Sequence, residues 1–159
     1  MRTFLSLVAA LVLLTGCAYT YSSSHQQTFT MVVDYSFTVE VNYSKSLAEM
    51  IQAGKYDWVD SAITADHFPR QEVGGQLVEF TLFHFTRNIS SPEAIIQMGK
   101  AGFRPANLAD LLALGAAQPD LQRQFPIVAL GQFWLPPLGS RQVPYFDGSD
   151  DWRSLGLLW

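Results

Sequence analysis

The chain has 159 residues, with 10 basic and 14 acidic side chains and a formal net charge of −4. Its length suffices for one domain with a real hydrophobic core. A negatively charged chain without a Lys/Arg cluster lacks the electrostatic footprint of a nucleic-acid binder, so no nucleic acid is expected as a partner. The single cysteine, Cys17, also excludes a disulfide within the chain.

The first residues have the order of an export signal. Arg2 supplies a positive charge, and residues 4–14 form an almost unbroken apolar run that leads through small residues to Cys17. This run is too short for a membrane-spanning helix, which needs about 20 apolar residues. A positive start, a short apolar segment and a small-residue cleavage site therefore predict a signal peptide over residues 1–16.

The segment Leu14-Thr15-Gly16-Cys17 resembles the lipobox of bacterial lipoproteins. The resemblance implies diacylglyceryl transfer to the Cys17 sulfur, cleavage before Cys17 and acylation, for example with palmitate, of the new amino end. The lipid would anchor the protein outside the cytoplasm, and Ala18, where an Asp would favour inner-membrane retention, allows either the cell membrane or an outer membrane. Cys17 would then be unavailable for thiolate catalysis or metal binding. The alternative is an ordinary signal peptide that ends near a cysteine.

Residues 17–27 are polar and Ser-rich, which predicts a lipidated tether, and residues 28–159 are predicted to form a single globular domain. Apolar and polar residues alternate over residues 29–43, which predicts a long strand with one buried face. Only Val32 breaks the alternation, and the length of the run, well above that of an average strand, indicates a bend or bulge or two successive strands. Residues 77–86 are apolar on both faces, which predicts a central strand that is covered on both sides.

Three short helices are predicted from capping boxes that begin at Ser46, Ser90 and Asn107. One further helical turn is expected over residues 119–124. The remaining chain is strand-like and rich in turn residues, with candidate strands at 127–130, 132–135, 142–146 and 152–158. The predicted fold class is α+β, a mostly antiparallel sheet with two or three short helices against one side.

Two resemblances enter in the C-terminal half. Residues 102–112 and 125–131 resemble an uncharacterised family of proteins from candidate-phylum bacteria, over residues 78–159. That family has a further closing strand, which implies that this chain is truncated at its C-terminus. The order Gly-Phe-Arg-Pro followed by Asn-x-x-Asp-Leu is also similar to a segment of C-type-lectin-like folds. That likeness implies a helix followed by ligand-presenting loops, although Asn107 stands where Thr is usual and Pro105 is displaced by one position.

The candidate ligand-binding residues lie in or near a late acidic loop. Three carboxylates within one glycine-containing segment have the hard oxygen atoms that calcium takes, but a solvated turn is the preferred interpretation, and neither a metal nor a cofactor is expected. Aromatic side chains near the loop, together with its carboxylates, would suit a glycan or a protein partner. The predicted binding residues are Trp134, Asp147, Asp150, Asp151 and Trp152.

No catalytic constellation is evident, and an enzyme is not expected. His84 is interpreted as a core histidine, Asp66 and His67 are not interpreted as a dyad, and no Gly-x-Ser-x-Gly motif occurs. The leading hypothesis is a lipid-anchored binding or interaction module that uses two loops, residues 135–141 and 147–152. The alternatives are a structural envelope protein that packs against a partner subunit and a cell-envelope hydrolase, for which Glu72, Glu79 and Glu93 are available carboxylates.

Overall fold

The computed structural model of the chain describes residues 7–12 and 31–159. The predicted lipidation site at Cys17 and the predicted tether lie outside the described residues. The helices are α1 (Leu47–Gly54), α2 (Ser91–Lys100), α3 (Leu108–Ala117) and α4 (Leu121–Gln124). The strands are β1 (Leu7–Val12), β2 (Met31–Asn42), β3 (Trp58–Val59), β4 (Gly75–Phe85), β5 (Phe103–Pro105), β6 (Ile127–Val128), β7 (Val143–Ser149) and β8 (Trp152–Leu158).

All eight strands belong to one sheet with the order β2-β4-β1-β6-β7-β8-β3, and β5 pairs with β1 beside this path. The pairs β1–β6 and β3–β8 are parallel, and the other strand pairs are antiparallel. The predicted α+β class with a mostly antiparallel sheet is therefore confirmed. The sequence did not predict β1 or β5 as strands. Among the described residues, no helix has the length and apolarity required to cross a bilayer.

Strand β2 contains the predicted irregularity. Val33 lies opposite Phe83 of β4, whereas Tyr35 lies opposite the adjacent residue Leu82, so one extra residue of β2 has no partner in the register. Phe83 and Leu82 belong to opposite faces of the sheet because side chains alternate along a strand. The bulge therefore changes the face to which the alternating apolar residues of β2 belong.

Strand β4 is covered on both faces, as the sequence predicts. Phe80 and Leu82 lie in a core cluster with residues of α1 and α3, whereas Phe83 packs with Ala94 and Met98 of α2 in a second cluster. The helices were expected against one side of the sheet, but α2 covers the side opposite to α1 and α3. The apolar residues of β4 on both faces account for this arrangement, because each face needs a covering layer.

The helix starts follow the predicted caps with one exception. Ser46 and Glu49 form a reciprocal capping box at α1, and Asn107 and Asp110 form one at α3. At α2 the Ser90 hydroxyl accepts the backbone N–H of Glu93 at 3.4 Å. The Glu93 carboxylate forms an ion pair with Arg87 at 2.8 Å, which replaces the expected return bond to the cap backbone.

Candidate functional site

The β7–β8 hairpin brings part of the predicted site together. Ser149 and Trp152 are directly opposite each other, which leaves Asp150 and Asp151 as a two-residue turn. Further along the hairpin, Asp147 lies opposite Ser154 and Tyr145 lies opposite Gly156. Directly opposed residues share one face of a sheet and side chains alternate along a strand. Tyr145, Asp147 and Trp152 therefore project from the same face.

Strand β3 adds a second tryptophan to this face. Trp58 lies opposite Ser154 in the parallel β3–β8 pair, so it projects to the same side as Trp152. Strand spacing places the Cα atoms of the two tryptophans about 8 Å apart. Trp58 is 48% exposed and Trp152 is 42% exposed. We refer to Trp58, Tyr145, Asp147 and Trp152 as the aromatic face.

The opposite side of the hairpin is fixed by the core. Phe146 and Leu155 form a directly opposed pair that is completely buried, and Val59 packs against the same cluster. On the aromatic face, the Tyr145 ring lies over Gly156, where a Cβ atom would be 2.6 Å from Tyr145 Cε1. The buried side therefore holds the hairpin in place, and the absence of a side chain at residue 156 lets Tyr145 lie flat.

The aromatic face combines a hydrogen-bond donor with acceptors. Burial raises the pKa of Tyr145, and the negative charges of Asp147 and Asp60 raise it further. The Tyr145 hydroxyl consequently stays protonated and able to donate a hydrogen bond at neutral pH. Asp147 Oδ1 accepts the Gly148 backbone N–H at 2.9 Å, so this carboxylate is oriented by the strand that carries it.

The acidic turn is closed by a cation from α4. Arg123 Nη1 donates to the Ser149 carbonyl oxygen at 2.7 Å and also to that of Asp150. Asp151 Oδ1 accepts the Ser149 hydroxyl at 3.3 Å. Within residues 7–12 and 31–159, no three His, Cys, Asp or Glu side chains are placed to hold a metal ion. The carbonyl oxygens of Ser149 and Asp150 instead bind Arg123, which docks the hairpin turn on α4.

Trp134 lies elsewhere. Its backbone forms a two-bond bridge with Gln142, at 2.9 and 2.8 Å, and its ring stacks on His67 with 4.0 Å between ring centroids. Gln142 precedes β7 whereas Trp152 follows it across the turn. At about 3.3 Å per residue, Trp134 is roughly 25 Å from the acidic turn. The predicted residues Asp147 and Trp152 are thus brought together, and Trp134 and the loop of residues 135–141 lie at the other end of the hairpin.

His67 is held as a structural side chain. Its Nδ1 atom is 2.8 Å from the carbonyl oxygen of Ala62. Since a carbonyl oxygen can only accept a hydrogen bond, Nδ1 carries the proton and donates. The stack on Trp134 covers one face of the His67 ring, and this bond fixes one of its nitrogens.

The candidate hydrolytic carboxylates have separate surroundings. Glu72 Oε1 is 3.5 Å from Arg104 Nη2 and Glu93 is paired with Arg87. Glu79 is exposed on β4, opposite Thr38 of β2. Each of these contacts is that of a surface or structural carboxylate, so none of the three supports the hydrolase alternative.

A buried polar cluster around Asp110 was not predicted. Asp110 is fully buried; its Oδ1 accepts the Tyr43 hydroxyl at 2.6 Å, and its Oδ2 accepts Arg104 Nη1 at 2.7 Å and the Asn107 backbone N–H at 2.9 Å. Glu72 extends the cluster by accepting Asn107 Nδ2 at 3.3 Å. The Asp110 cluster (Tyr43, Glu72, Arg104, Asn107 and Asp110) therefore joins the region after β2 to β5 and to the start of α3.

The ionisation states of the Asp110 cluster follow from burial and charge. Burial raises the pKa of Tyr43 to about 12, and the hydrogen bond to Asp110 contributes to the same shift. For Arg104, burial alone would lower the pKa, but the carboxylates of Asp110 and Glu72 outweigh burial and raise it. The raised pKa values keep the Tyr43 phenol neutral and the Arg104 guanidinium charged at neutral pH, and both oxygens of Asp110 have hydrogen-bond partners.

Asp110 itself carried a usable sequence signal, because it is the third helical residue after the Asn107 cap. Its distant partner Tyr43 could not be identified from local sequence. The same is true of Trp58, whose place on the aromatic face depends on pairing with a strand almost a hundred residues later.

Comparison with protein-family models, curated proteins and solved structures finds no match to this chain. The lectin-like likeness of the C-terminal half therefore stays a prediction.

Proposed function

We propose that this protein is a non-enzymatic bacterial lipoprotein, anchored through Cys17, whose globular domain binds glycans on the aromatic face. The observation that carries the binding proposal is the position of Trp58 and Trp152. Both indoles are close to half exposed on one face of the β3–β8–β7 edge of the sheet, beside Asp147 and Tyr145. Exposed apolar patches rimmed by polar groups are typical of interaction sites.

The chemistry of the aromatic face suits a sugar. A pyranose ring has an apolar C–H surface that packs on an indole, and its hydroxyl groups need donors and acceptors at the ring edge. Asp147 supplies side-chain oxygen atoms that accept hydrogen bonds. The Tyr145 hydroxyl supplies a donor, because its raised pKa keeps it protonated. The Cα atoms of the two tryptophans are about 8 Å apart, so the two indoles are neighbours on this face.

A glycan array tests the binding proposal. Trp58→Ala and Trp152→Ala should each weaken binding by about tenfold or more, as expected for a central aromatic contact. Trp159→Ala is the matched control, because Trp159 is 86% exposed and is not part of the aromatic face. Near-UV circular dichroism and thermal unfolding establish that the variants fold. Equal losses in all three variants, or no glycan bound by the wild-type chain, would contradict the proposal.

The anchor proposal is supported by the lipobox resemblance at residues 14–17 and is tested separately. Cys17→Ser should move the protein from the membrane fraction to the soluble fraction. Intact-mass analysis of the wild-type chain should show loss of residues 1–16 and gain of a diacylglyceryl group. An unmodified Cys17 in a chain that keeps those residues would overturn it. The mass also decides the fate of Leu7–Val12, which is β1 of the sheet in the full chain and is absent from a chain cleaved before Cys17.

A second candidate function, a structural envelope protein, is favoured by a different surface. Leu135 is 62% exposed and Leu138 is completely exposed in the loop that leads into β7, where Val143 pairs with Leu158. These apolar side chains lie at the end of the hairpin opposite to the acidic turn. This candidate would be supported if the protein is extracted in a defined hetero-complex that dissociates when Leu135 and Leu138 are changed to Ser. The same double substitution should leave glycan binding unaffected.

A further inference from the structure

We propose that the position of β1 in the sheet becomes a binding site for an apolar β-strand of another polypeptide once residues 1–16 are removed. This inference rests on the proposed cleavage before Cys17. In the full chain, Leu7–Val12 occupies the position itself, and so displays the shape and chemistry of the strand that the site accepts.

Strand β1 is paired along both of its edges. On one edge, residues 7–11 run antiparallel to residues 80–84 of β4. On the other edge, Leu7 and Val8 run parallel to β6, and Ala10 to Val12 run antiparallel to β5. The short strands β5 and β6 therefore follow one another along β1. We call the space between β4 on one side and β5 and β6 on the other the strand slot.

The walls of the strand slot come from the centre of the protein. Phe80, Leu82 and Phe83 of β4 are completely buried, and Ile127 and Val128 of β6 are 1% and 4% exposed. Loss of β1 leaves unpaired backbone groups on each wall, N–H and C=O groups throughout except at Pro105 of β5, which has no N–H. The walls are about 10 Å apart, which is two strand spacings. Residues 80–84 contain no Lys or Pro, the residues that commonly protect a free strand edge.

The helical layer holds the two sides of the slot apart. Helix α3 contacts β2 on one side of the slot and β7 on the other, so it bridges the gap. The β6 side is also fixed internally, because Ala129 N donates to the Pro144 carbonyl at 3.0 Å and Gly131 N donates to the Ala106 carbonyl at 2.7 Å. Closing the slot by direct β4–β6 pairing would require this whole half of the sheet to move by one strand spacing beneath α3. Filling it with a strand keeps every other contact.

The occupant is therefore a segment of about six apolar residues that can adopt an extended conformation. The sequence of β1 indicates small residues at the two central positions, because Ala9 lies opposite Leu82 and Ala10 lies opposite Thr81. Main-chain hydrogen bonds to both walls would provide most of the affinity, as in other cases of β-strand addition. The binding partner of the strand slot would be a second envelope polypeptide with an exposed strand of this composition.

The test uses the full chain with a specific protease site inserted between Gly16 and Cys17, produced without export. After proteolysis, native mass spectrometry should show that the fragment of residues 1–16 stays bound to the body. A fluorescent peptide that contains the β1 sequence should replace it with one-to-one, saturable binding. The matched control is the same peptide with Ala9→Pro, which removes a backbone N–H donor. The affinity of this control peptide should be lower by at least about tenfold.

Several outcomes overturn the proposal. The fragment could leave while the body keeps its far-UV circular dichroism and thermal midpoint and binds no peptide, which would show that the slot closes. Equal binding of the two peptides would show that strand pairing is not the mode of binding. A body that unfolds when the fragment leaves supports the proposal if the peptide restores its fold and overturns it otherwise. These results are independent of the Cys17 mass measurement, so failure of the anchor and failure of the slot are distinguishable.

Discussion

The Tyr43 hydroxyl donates a 2.6 Å hydrogen bond to Asp110 Oδ1 across 67 residues of sequence, with both side chains buried. Asp110 is also the capping-box carboxylate of α3 and the partner of Arg104. One side chain thus fixes the start of a helix, a short strand and the segment after β2. Asp110 is the residue at which we expect the fold to be most sensitive to the loss of a single charge.

The Asp110→Asn variant should lose about 3 kcal/mol of unfolding free energy, because removing one charge of a buried pair leaves its partner uncompensated. Arg104 is 38% exposed and keeps Glu72, which places the loss at the lower end of the range for buried pairs. Urea unfolding measures the change. Asp120→Asn is the control, since Asp120 is 85% exposed in its pair with Arg123 and should change stability by less than about 1 kcal/mol. Equal effects in the two variants would contradict the assigned role of Asp110.

The stability of the protein should fall in alkaline solution between about pH 10 and 12. Burial raises the pKa of Tyr43 from 10.0 to about 12, so the unfolded chain releases this proton at a lower pH than the folded chain. The stabilisation is therefore complete below pH 10 and is lost as the pH rises through 12. Burial raises the pKa of Tyr56 as well, so a residual slope should remain in Tyr43→Phe. Unfolding free energies measured from pH 8 to pH 12 should show a smaller decline in Tyr43→Phe, and an identical decline would disprove the assignment.

Arg153 should be essential for joining two helix ends. Its guanidinium is buried and donates to the carbonyl oxygen of Gly54 and, at 2.7 Å, to that of Gly115, near the ends of α1 and α3. Arg153→Met leaves these carbonyls without donors, and we expect a loss of about 2–4 kcal/mol in urea unfolding. Arg141→Met is the control, because Arg141 is exposed and lies over the Phe133 ring at 3.9 Å, a contact worth about 0.5–1 kcal/mol. A smaller loss in Arg153→Met than in the control would refute this role.

Two glycine substitutions should have opposite effects on stability. A Cβ atom at Gly131 would lie 2.5 Å from the Pro105 carbonyl oxygen and 2.7 Å from that of Ala106, and backbone atoms cannot move aside cheaply. Gly131→Ala should therefore cost about 2 kcal/mol or more. Gly99 lies within α2 and has nothing within 4 Å of the added atom, so Gly99→Ala should stabilise the protein by up to about 1 kcal/mol. Thermal unfolding of the two variants should show shifts of opposite sign.

Local features could be predicted from the sequence, whereas features that depend on long-range pairing could not. The caps at Ser46 and Asn107 are determined by neighbours within one helical turn. The length of the alternating run indicated a bulge in β2, but the sequence did not indicate its position between Val33 and Tyr35. In contrast, Trp58 joins Trp152 only because β3 pairs with β8, and Trp134 separates from them because it pairs before β7 begins. Proximity in sequence therefore does not indicate which aromatic residues share this face.

The apolar run at the start of the chain shows a different limit of prediction from sequence. A short continuous apolar segment has the composition of a signal peptide and equally that of a strand buried on both faces. The predicted signal peptide includes Leu7–Val12, whereas the structure places this segment between β4 and β6. Periodicity cannot distinguish the two interpretations, because neither has a polar face.

The position of Arg153 has a consequence for the timing of folding. The carbonyl oxygens at the ends of α1 and α3 receive its guanidinium only after the ribosome has passed residue 153 and that residue has left the exit tunnel. Until then, the nascent chain lacks the contact that ties both helices to β8.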